Sequence, residues 1–218
     1  MEILKRIIKE EIEKSGPITF YQFMKYALYH PEYGYYSRKN VLGKKGDFFT
    51  NAHVSLFGKI LAHFFSQLLT SWNLNEILEV GAGEAFTALD ILNEMQDKYP
   101  KVYSNLKYYI SEKSEAMREK EKKTLRLHSS KVKWIDELHK FTLSGIIFSN
   151  ELFDSLPVNL LQLEKDGWHE IFVDVKGEEF ELIVKPLACP AIINYLNKMK
   201  IEAPLGHKIE VNLEAISL

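Results

Sequence analysis

The spacing of apolar positions changes period twice along this chain, dividing it into three stretches. Residues 2–14 place Ile3, Leu4, Ile7, Ile8 and Ile12 at helical spacing, with charge on the opposite face. Gly16-Pro17 stops that helix. Thr19-x-x-Gln22 then reads as a capping box opening a short helix over residues 20–29, ended by Pro31. Residues 30–50 are rich in glycine, tyrosine and charge, and a loop this long in a compact domain is often functional. Residues 54–70 carry Leu56, Phe57, Ile60, Leu61, Phe64, Phe65, Leu68 and Leu69, which predicts an apolar helix buried on more than one side.

The second stretch alternates. Strands are predicted over residues 77–81, 107–111, 131–135 and 145–149, and helices over 86–98 and 114–127. Strand–helix alternation implies a parallel, doubly wound sheet with right-handed crossovers. After Pro157 the period becomes that of hairpins. Residues 158–163, 168–175 and 179–184 read as three strands joined by turns at Lys165-Asp166-Gly167 and Lys176-Gly177-Glu178. This antiparallel meander is expected beside the parallel sheet. A helix over 191–200 and a strand near 208–212 complete the chain.

The fold expected is therefore α/β and Rossmann-like, with a mostly parallel sheet, an N-terminal helical extension and an antiparallel insertion. No clean boundary divides it. A single domain over 1–218 is expected, made of a helical and lid segment (1–70), a cofactor-binding core (75–157) and the meander insertion with a shortened C-terminal part (158–218).

Composition narrows the function. The 218 residues suffice for one large domain with a proper core. At 46% hydrophobic and 27% charged, the chain has the make-up of an ordinary globular protein. A net charge of -2 offers no electrostatic case for nucleic acid or an anionic membrane. The one cysteine, Cys189, rules out a disulfide framework and fits a reducing cytoplasm. Four glutamates in the first 13 residues argue against a signal or transit peptide. No apolar run approaches the roughly 18 residues needed to span a bilayer. The seven histidines lack metal-ligand spacing, so no metal site is expected. No nucleophile elbow or P-loop is present. The basic run from Arg118 to Lys123 is interleaved with glutamate and predicts a solvent-facing helix rather than an RNA site.

Four motifs carry candidate chemistry. The first, ILEVGAGEA at residues 77–85, reads as a strand entering a glycine turn and then a helix. Such a turn lets a nucleotide-like cofactor approach the backbone. A dinucleotide fingerprint wants a third glycine, and Phe86 stands in that place, so a pyrophosphate site is disfavoured. Glu79, inside the strand, points toward S-adenosylmethionine (SAM) rather than NAD. A purely structural turn and an NAD-linked oxidoreductase stay open as alternatives. The second is Glu112, at the end of the next strand, where a carboxylate can accept hydrogen bonds from both ribose hydroxyls. It can also help cap the helix that starts near Ser114, and the two roles are compatible. The third is SNELFDSLPV at residues 149–158, emerging at the carboxyl edge of the sheet, where ligands of open α/β sheets bind. It concentrates Asn150, Glu151 and Asp154; simple strand termination is the bland alternative. The fourth is GDFFT at residues 46–50, whose Asp47, Phe48 and Thr50 either close a lid over a cofactor or anchor a loop to the core.

Taken in order, YALYHPEYGYYSR, GDFFT with LFGKILA, ILEVGAGEA and SNELFDSLPV resemble the MidA family of SAM-dependent methyltransferases, from about residue 16 to about residue 213. The family is related to a mitochondrial assembly factor of respiratory complex I that methylates protein arginine. The resemblance implies SAM as cofactor and a protein substrate, an arginine side chain, in a partner such as a respiratory complex subunit. It implies that Gly81, Ala82 and Gly83 seat the cofactor, with Glu79 near its methionine end, Glu112 on the ribose and Asp136 at the adenine. Asp47, Phe48 and Thr50 would close over the methionine end, Asn150 would face both cofactor and acceptor, and Glu151 and Asp154 would orient the guanidinium. A catalytically weak or inactive assembly factor that binds SAM or protein is the competing reading.

This sequence departs from the family pattern in two places. Ala85 replaces the usual glycine; alanine can keep the turn if the local φ is negative, and cofactor binding is expected to survive. Family members also continue into further strands, so the C-terminal part of the pattern is expected to be missing. Such a gap would leave a sheet edge able to pair with another chain, a route to a homodimer.

Overall fold

The computed structural model describes residues 2–37, 55–213 and 215. Contacts divide the chain into two compact units, one made of Met1–Lys39 with Phe153–Leu218 and the other of Asn40–Leu152.

The chain opens with helix α1 (Glu2–Ser15), the two-residue strand β1 (Ile18–Thr19) and helix α2 (Phe20–Tyr29). The capping box before α2 is formed as expected. The Gln22 N–H donates to Thr19 Oγ1 at 3.1 Å, and the Thr19 N–H donates back to Gln22 Oε1 at 3.0 Å.

The unit Asn40–Leu152 holds helix α3 (Ser55–Ser71), strand β2 (Glu76–Val80), helices α4 (Phe86–Lys98) and α5 (Pro100–Asn105), and strand β3 (Lys107–Ser111). Helix α6 (Glu115–Thr124) and strands β4 (Val132–Ile135) and β5 (Gly145–Phe148) come next. The four strands form a parallel sheet in the order β4-β3-β2-β5. One face carries Ile77, Tyr108, Ile110, Val132 and Ile146, packed with Phe65, Leu69, Ala88, Ile91, Leu92 and Met95 of α3 and α4. The return from β4 to β5 sets Phe141 against the Tyr109 ring, 4.7 Å between centroids, and Tyr109 alternates with the core-facing Tyr108. Gly58 lets α3 lie close to α4, since a Cβ there would come within 2.5 Å of the Asp90 Cβ.

Helix α3 corrects one expectation. It buries Gly58, Ala62, Phe65, Ser66 and Leu69, whereas Leu56, Ile60 and Phe64 are more than half exposed. Its single buried face packs on α4 and the sheet; the apolar residues one helical turn apart on the other side do not share that contact.

The second part of the other unit supplies strands β6 (Asn159–Glu164), β7 (Gly167–Lys176) and β8 (Glu179–Pro186), helix α7 (Pro190–Met199) and strand β9 (Lys208–Val211). The antiparallel strands make a sheet of their own in the order β1-β7-β6-β9, with β8 on the far side of β7. Both predicted hairpins are present, with Glu164 paired to Gly167 and Lys176 paired to Glu179 across two-residue turns. Leu4, Ile8 and Ile12 of α1 pack with Ile18 and Val173. Leu161 and Val211 pack with Ile192 and Leu196 of α7. The short strand β1, paired to β7 at Ile18–Val173, and helix α5 had no periodic signal long enough to announce them.

Candidate functional site

The carboxyl end of β2 runs directly into the glycine turn. Gly81 and Gly83 have φ of +72° and +60°, and Ala85 also lies in the left-handed region at +60°. The condition of a negative φ at Ala85 is not met, and the turn forms nonetheless. The turn needs this conformation to start α4, and the alanine adopts it at some cost in strain. Its methyl group is fully buried in the core. The Gly81 N–H donates to the Ser111 carbonyl at 2.9 Å, tying the turn to the end of β3. The space that a Cβ on Gly81 would take is filled by Leu152, whose Cδ1 would lie 2.7 Å away. Leu152 thus seats the end of this unit, residues 150–152, against the turn. Ala82 sits in the core at 9% exposure.

Glu79 is buried on the core-facing side of β2 and accepts a hydrogen bond from the Tyr108 hydroxyl at 2.7 Å. Burial raises its pKa to about 7, opposed by the Tyr108 bond. Burial thus favours the neutral carboxyl here.

Glu112 stands just past β3. The Ser114 N–H donates to its Oε1 at 2.7 Å, so the carboxylate does help to hold the start of α6. Burial raises its pKa, opposed by backbone N–H groups of Ser114 and Lys113 and by the Arg118 charge. Its carboxylate is held in a fixed pose at the carboxyl edge of the sheet, where it can accept from a ligand's hydroxyls. Asp136, just past β4, is 77% exposed along its side chain and pairs with Arg118.

The inward-facing side of α6 is not legible in its charge pattern. Arg118 is only 17% exposed, not solvent-facing, and its Nε donates to the Glu112 carbonyl at 2.7 Å. Lys120 pairs with Glu84 of the glycine turn at 2.9 Å. Glu121 is fully buried, and its Oε2 accepts from Trp134 Nε1 at 2.6 Å. Its other oxygen has no partner among the described residues. Burial raises its pKa to about 8, and the charges of Glu112 and Glu79 add to the shift. The one sequence signal was Arg118's place four residues after Ser114, the helix cap. Long helical side chains lean toward the N-terminus, which brings this one back over the loop before α6. The solvent-facing expectation holds for Glu119 and Lys122, 55% and 46% exposed.

At the end of β5, Asn150 is partly buried and Glu151 is exposed with a left-handed φ of +50°. A non-glycine residue held there is a strained position of the sort found at functional sites. Asp154 belongs to the other unit, in a short 3-10 turn at Phe153–Ser155. There the Tyr29 hydroxyl donates to the Ser155 carbonyl at 2.9 Å, and the Tyr29 and Tyr36 rings lie 5.3 Å apart. Burial, helped by the neighbouring Tyr29 and Asp154, pushes the Tyr36 hydroxyl up to about 12. Two motifs far apart in sequence are brought together in this way. Asp47, Phe48 and Thr50 lie outside the described residues. Among the described residues no group of histidine, cysteine or acidic side chains could hold a metal ion, and no helix is long and apolar enough to cross a membrane.

The profile of a family described as "Putative S-adenosyl-L-methionine-dependent methyltransferase" matches residues 56–218, more than half of the chain. The chain belongs to this family. That agrees with the MidA resemblance carried by its motifs. Among curated relatives, the human "Protein arginine methyltransferase NDUFAF7, mitochondrial" is 28% identical over 85% of this chain and 49% of its own length. The mouse protein of that name is 30% identical, with the same shares covered. The chain spans about half the length of the curated relatives it matches. Among solved structures, a "likely methyl transferase" from Burkholderia thailandensis, bound to S-adenosyl-homocysteine, superposes with a TM-score of 0.79 at 26% identity. It covers 99% of this chain and 57% of that one. A second structure from the same organism gives 0.80 at 28% identity, over 99% and 56%. These likenesses establish the Rossmann-like fold with parallel core sheet, antiparallel insertion and N-terminal helices.

The expectation of a cytoplasmic address is corrected. The human and mouse relatives, and those from rat, nematode, cattle, zebrafish and two frogs, are all named as mitochondrial proteins. A lone cysteine and a small net charge are compatible with more than one reducing compartment, so they do not select the cytoplasm.

Proposed function

We propose that this chain carries the cofactor site of a SAM-dependent methyltransferase whose acceptor is a protein, through an arginine side chain. The observation that carries the proposal is the left-handed turn at 81–85, closing the carboxyl end of β2 beside the oriented Glu112 carboxylate. It occurs in a member of a family described by that cofactor. The arginine relatives and the S-adenosyl-homocysteine-bound neighbour support it further. On this reading the two compact units serve one methyltransferase-like domain.

SAM, when bound, supplies a methyl group on a positively charged sulfur, open to in-line displacement without a metal. Gly81, Ala82 and Gly83 offer backbone to the cofactor, with Glu79 beneath the turn. Glu112 accepts from the ribose hydroxyls, and Asp136 lies at the adenine end. Asp47, Phe48 and Thr50 are further cofactor-binding candidates by family resemblance and lie outside the described residues. Asn150 faces cofactor and acceptor. Glu151 holds the acceptor guanidinium by charged, paired hydrogen bonds and so orients the nucleophilic nitrogen toward the methyl group; Asp154 is the other carboxylate candidate for that role. The protein partner by this reading includes respiratory complex subunits.

Incubating a mitochondrial lysate with the purified protein and isotopically labelled SAM, then identifying labelled side chains by mass spectrometry, tests the proposal. Label on protein arginine is expected. The Glu151→Gln variant is expected to bind S-adenosyl-homocysteine as the wild type does and to lose methyl transfer at least a hundredfold. Label elsewhere than arginine, or a fully active variant, would reject the acceptor assignment; calorimetry showing no cofactor binding would reject the whole reading.

A further inference from the structure

The loops after β2, β3 and β4 are the three that the cofactor reading uses, and α6 touches each of them. Lys120 reaches Glu84 of the glycine turn. Arg118 reaches the other two at once: Nε donates to the Glu112 carbonyl, one terminal nitrogen donates to the Asp136 carboxylate, and the other lies 3.5 Å from the Ile135 carbonyl. We infer that Arg118 is a positioning residue of the cofactor site, a rigid spacer that sets where the Glu112 and Asp136 carboxylates stand relative to each other. This role rests on the cofactor reading proposed above.

The geometry suits a spacer better than a stabilising ion pair. The guanidinium is planar, with five donors in fixed directions, so one group satisfying acceptors on two loops fixes the separation of those loops. Arg118 is anchored at its own end, because its N–H donates to the Ser114 carbonyl at 3.0 Å in a helix capped by the Ser114 hydroxyl. Its side chain is largely withdrawn from solvent, whereas its Asp136 partner is mostly exposed, an arrangement in which the pair itself contributes little to stability. Asp136 is left room to meet a ligand from its exposed side. Glu112 depends on Arg118 in two ways. Its peptide is pinned by the Nε bond, and the nearby positive charge favours the ionised carboxylate that can accept from two hydroxyls. A lysine carries the charge on one freely rotating nitrogen and lacks the planar fork whose fixed donor spacing holds the two loops apart.

The test compares two probes by calorimetry: S-adenosyl-homocysteine and its 2′-deoxy analogue. Wild-type protein is expected to prefer the hydroxylated probe by about tenfold or more, the worth of a hydrogen bond to a charged group. Arg118→Met is expected to bind S-adenosyl-homocysteine at least tenfold more weakly and to lose most of that preference. Arg118→Lys is expected to lose it too, and serves if the methionine variant does not fold. Lys122→Met, on the exposed side of α6, is expected to keep both affinity and preference. An equal loss of affinity for both probes in the Arg118 variants would mean a merely structural role and overturn the inference, as would an unchanged preference. Failure of the wild type to bind either probe would instead remove the cofactor reading, and with it this role.

Discussion

At Ala85 three effects of similar size compete. The left-handed backbone costs alanine about 1–2 kcal/mol. Replacing it with glycine relieves that strain, removes a buried methyl worth about 0.8 kcal/mol, and loosens the unfolded chain by about 0.4–1 kcal/mol. Ala85→Gly is therefore expected to change stability by no more than about 1 kcal/mol in urea unfolding, from the near-cancellation of these terms. Ala85→Val adds a branched side chain at a fully buried, left-handed position and is expected to destabilise by about 2 kcal/mol or more. Gly81→Ala is expected to be at least as harmful, because Leu152 must move as well as the backbone strain. A neutral Ala85→Val would show that the turn relaxes out of its left-handed conformation. The glycines of the turn were legible from their letters; that Leu152, not open space, faces Gly81 was not, because the two are 71 positions apart in sequence.

Helix α6 shows how far an element departs from its composition. Its alternating charges predict a solvated surface, and Glu115, Glu119, Lys122 and Lys123 obey. The others are drawn inward: Lys120 and Arg118 by partners on the loops after β2, β3 and β4, and Glu121 by Trp134 of β4. Glu121 is the clearest case. Its carboxyl is buried with a pKa of about 8 against an ordinary value of 4.5, so the folded protein holds a proton that the unfolded chain releases between those pH values. Stability from this group is full below about pH 4.5 and is lost as pH rises through about 8. Glutamine imitates the neutral form. Glu121→Gln is expected to match the wild type near pH 5 and to be more stable by roughly 1–3 kcal/mol at pH 8.5. Equal unfolding midpoints at both pH values would show that Glu121 is ionised without cost. Burial of Glu79 acts in the same direction and leaves the variant with a residual slope of the same sign.

At the scale of the whole molecule, a ligand that binds only the folded state raises its stability by mass action. S-adenosyl-homocysteine at a hundred times its dissociation constant is expected to add about 2.7 kcal/mol, seen as a rise of several degrees in the unfolding temperature, while NAD adds nothing. A shift with NAD and none with S-adenosyl-homocysteine would restore the oxidoreductase alternative. The lack of a third glycine at Phe86 is the sequence basis for expecting this order.

Period, punctuation and turn chemistry determined most of the architecture: the parallel strands, their order of appearance, the capping box at Thr19 and the two hairpins arise from local preferences that act within a few residues. The same letters nominated the turn, Glu112 and Glu151 as candidate places for chemistry. What only the tertiary structure decided was which side chains meet. Arg118 joining two loops, Tyr108 donating to Glu79, Trp134 donating to Glu121 and Leu152 covering Gly81 depend on strand register and helix rotation. These are set by packing of the whole core, and no window along the chain contains them.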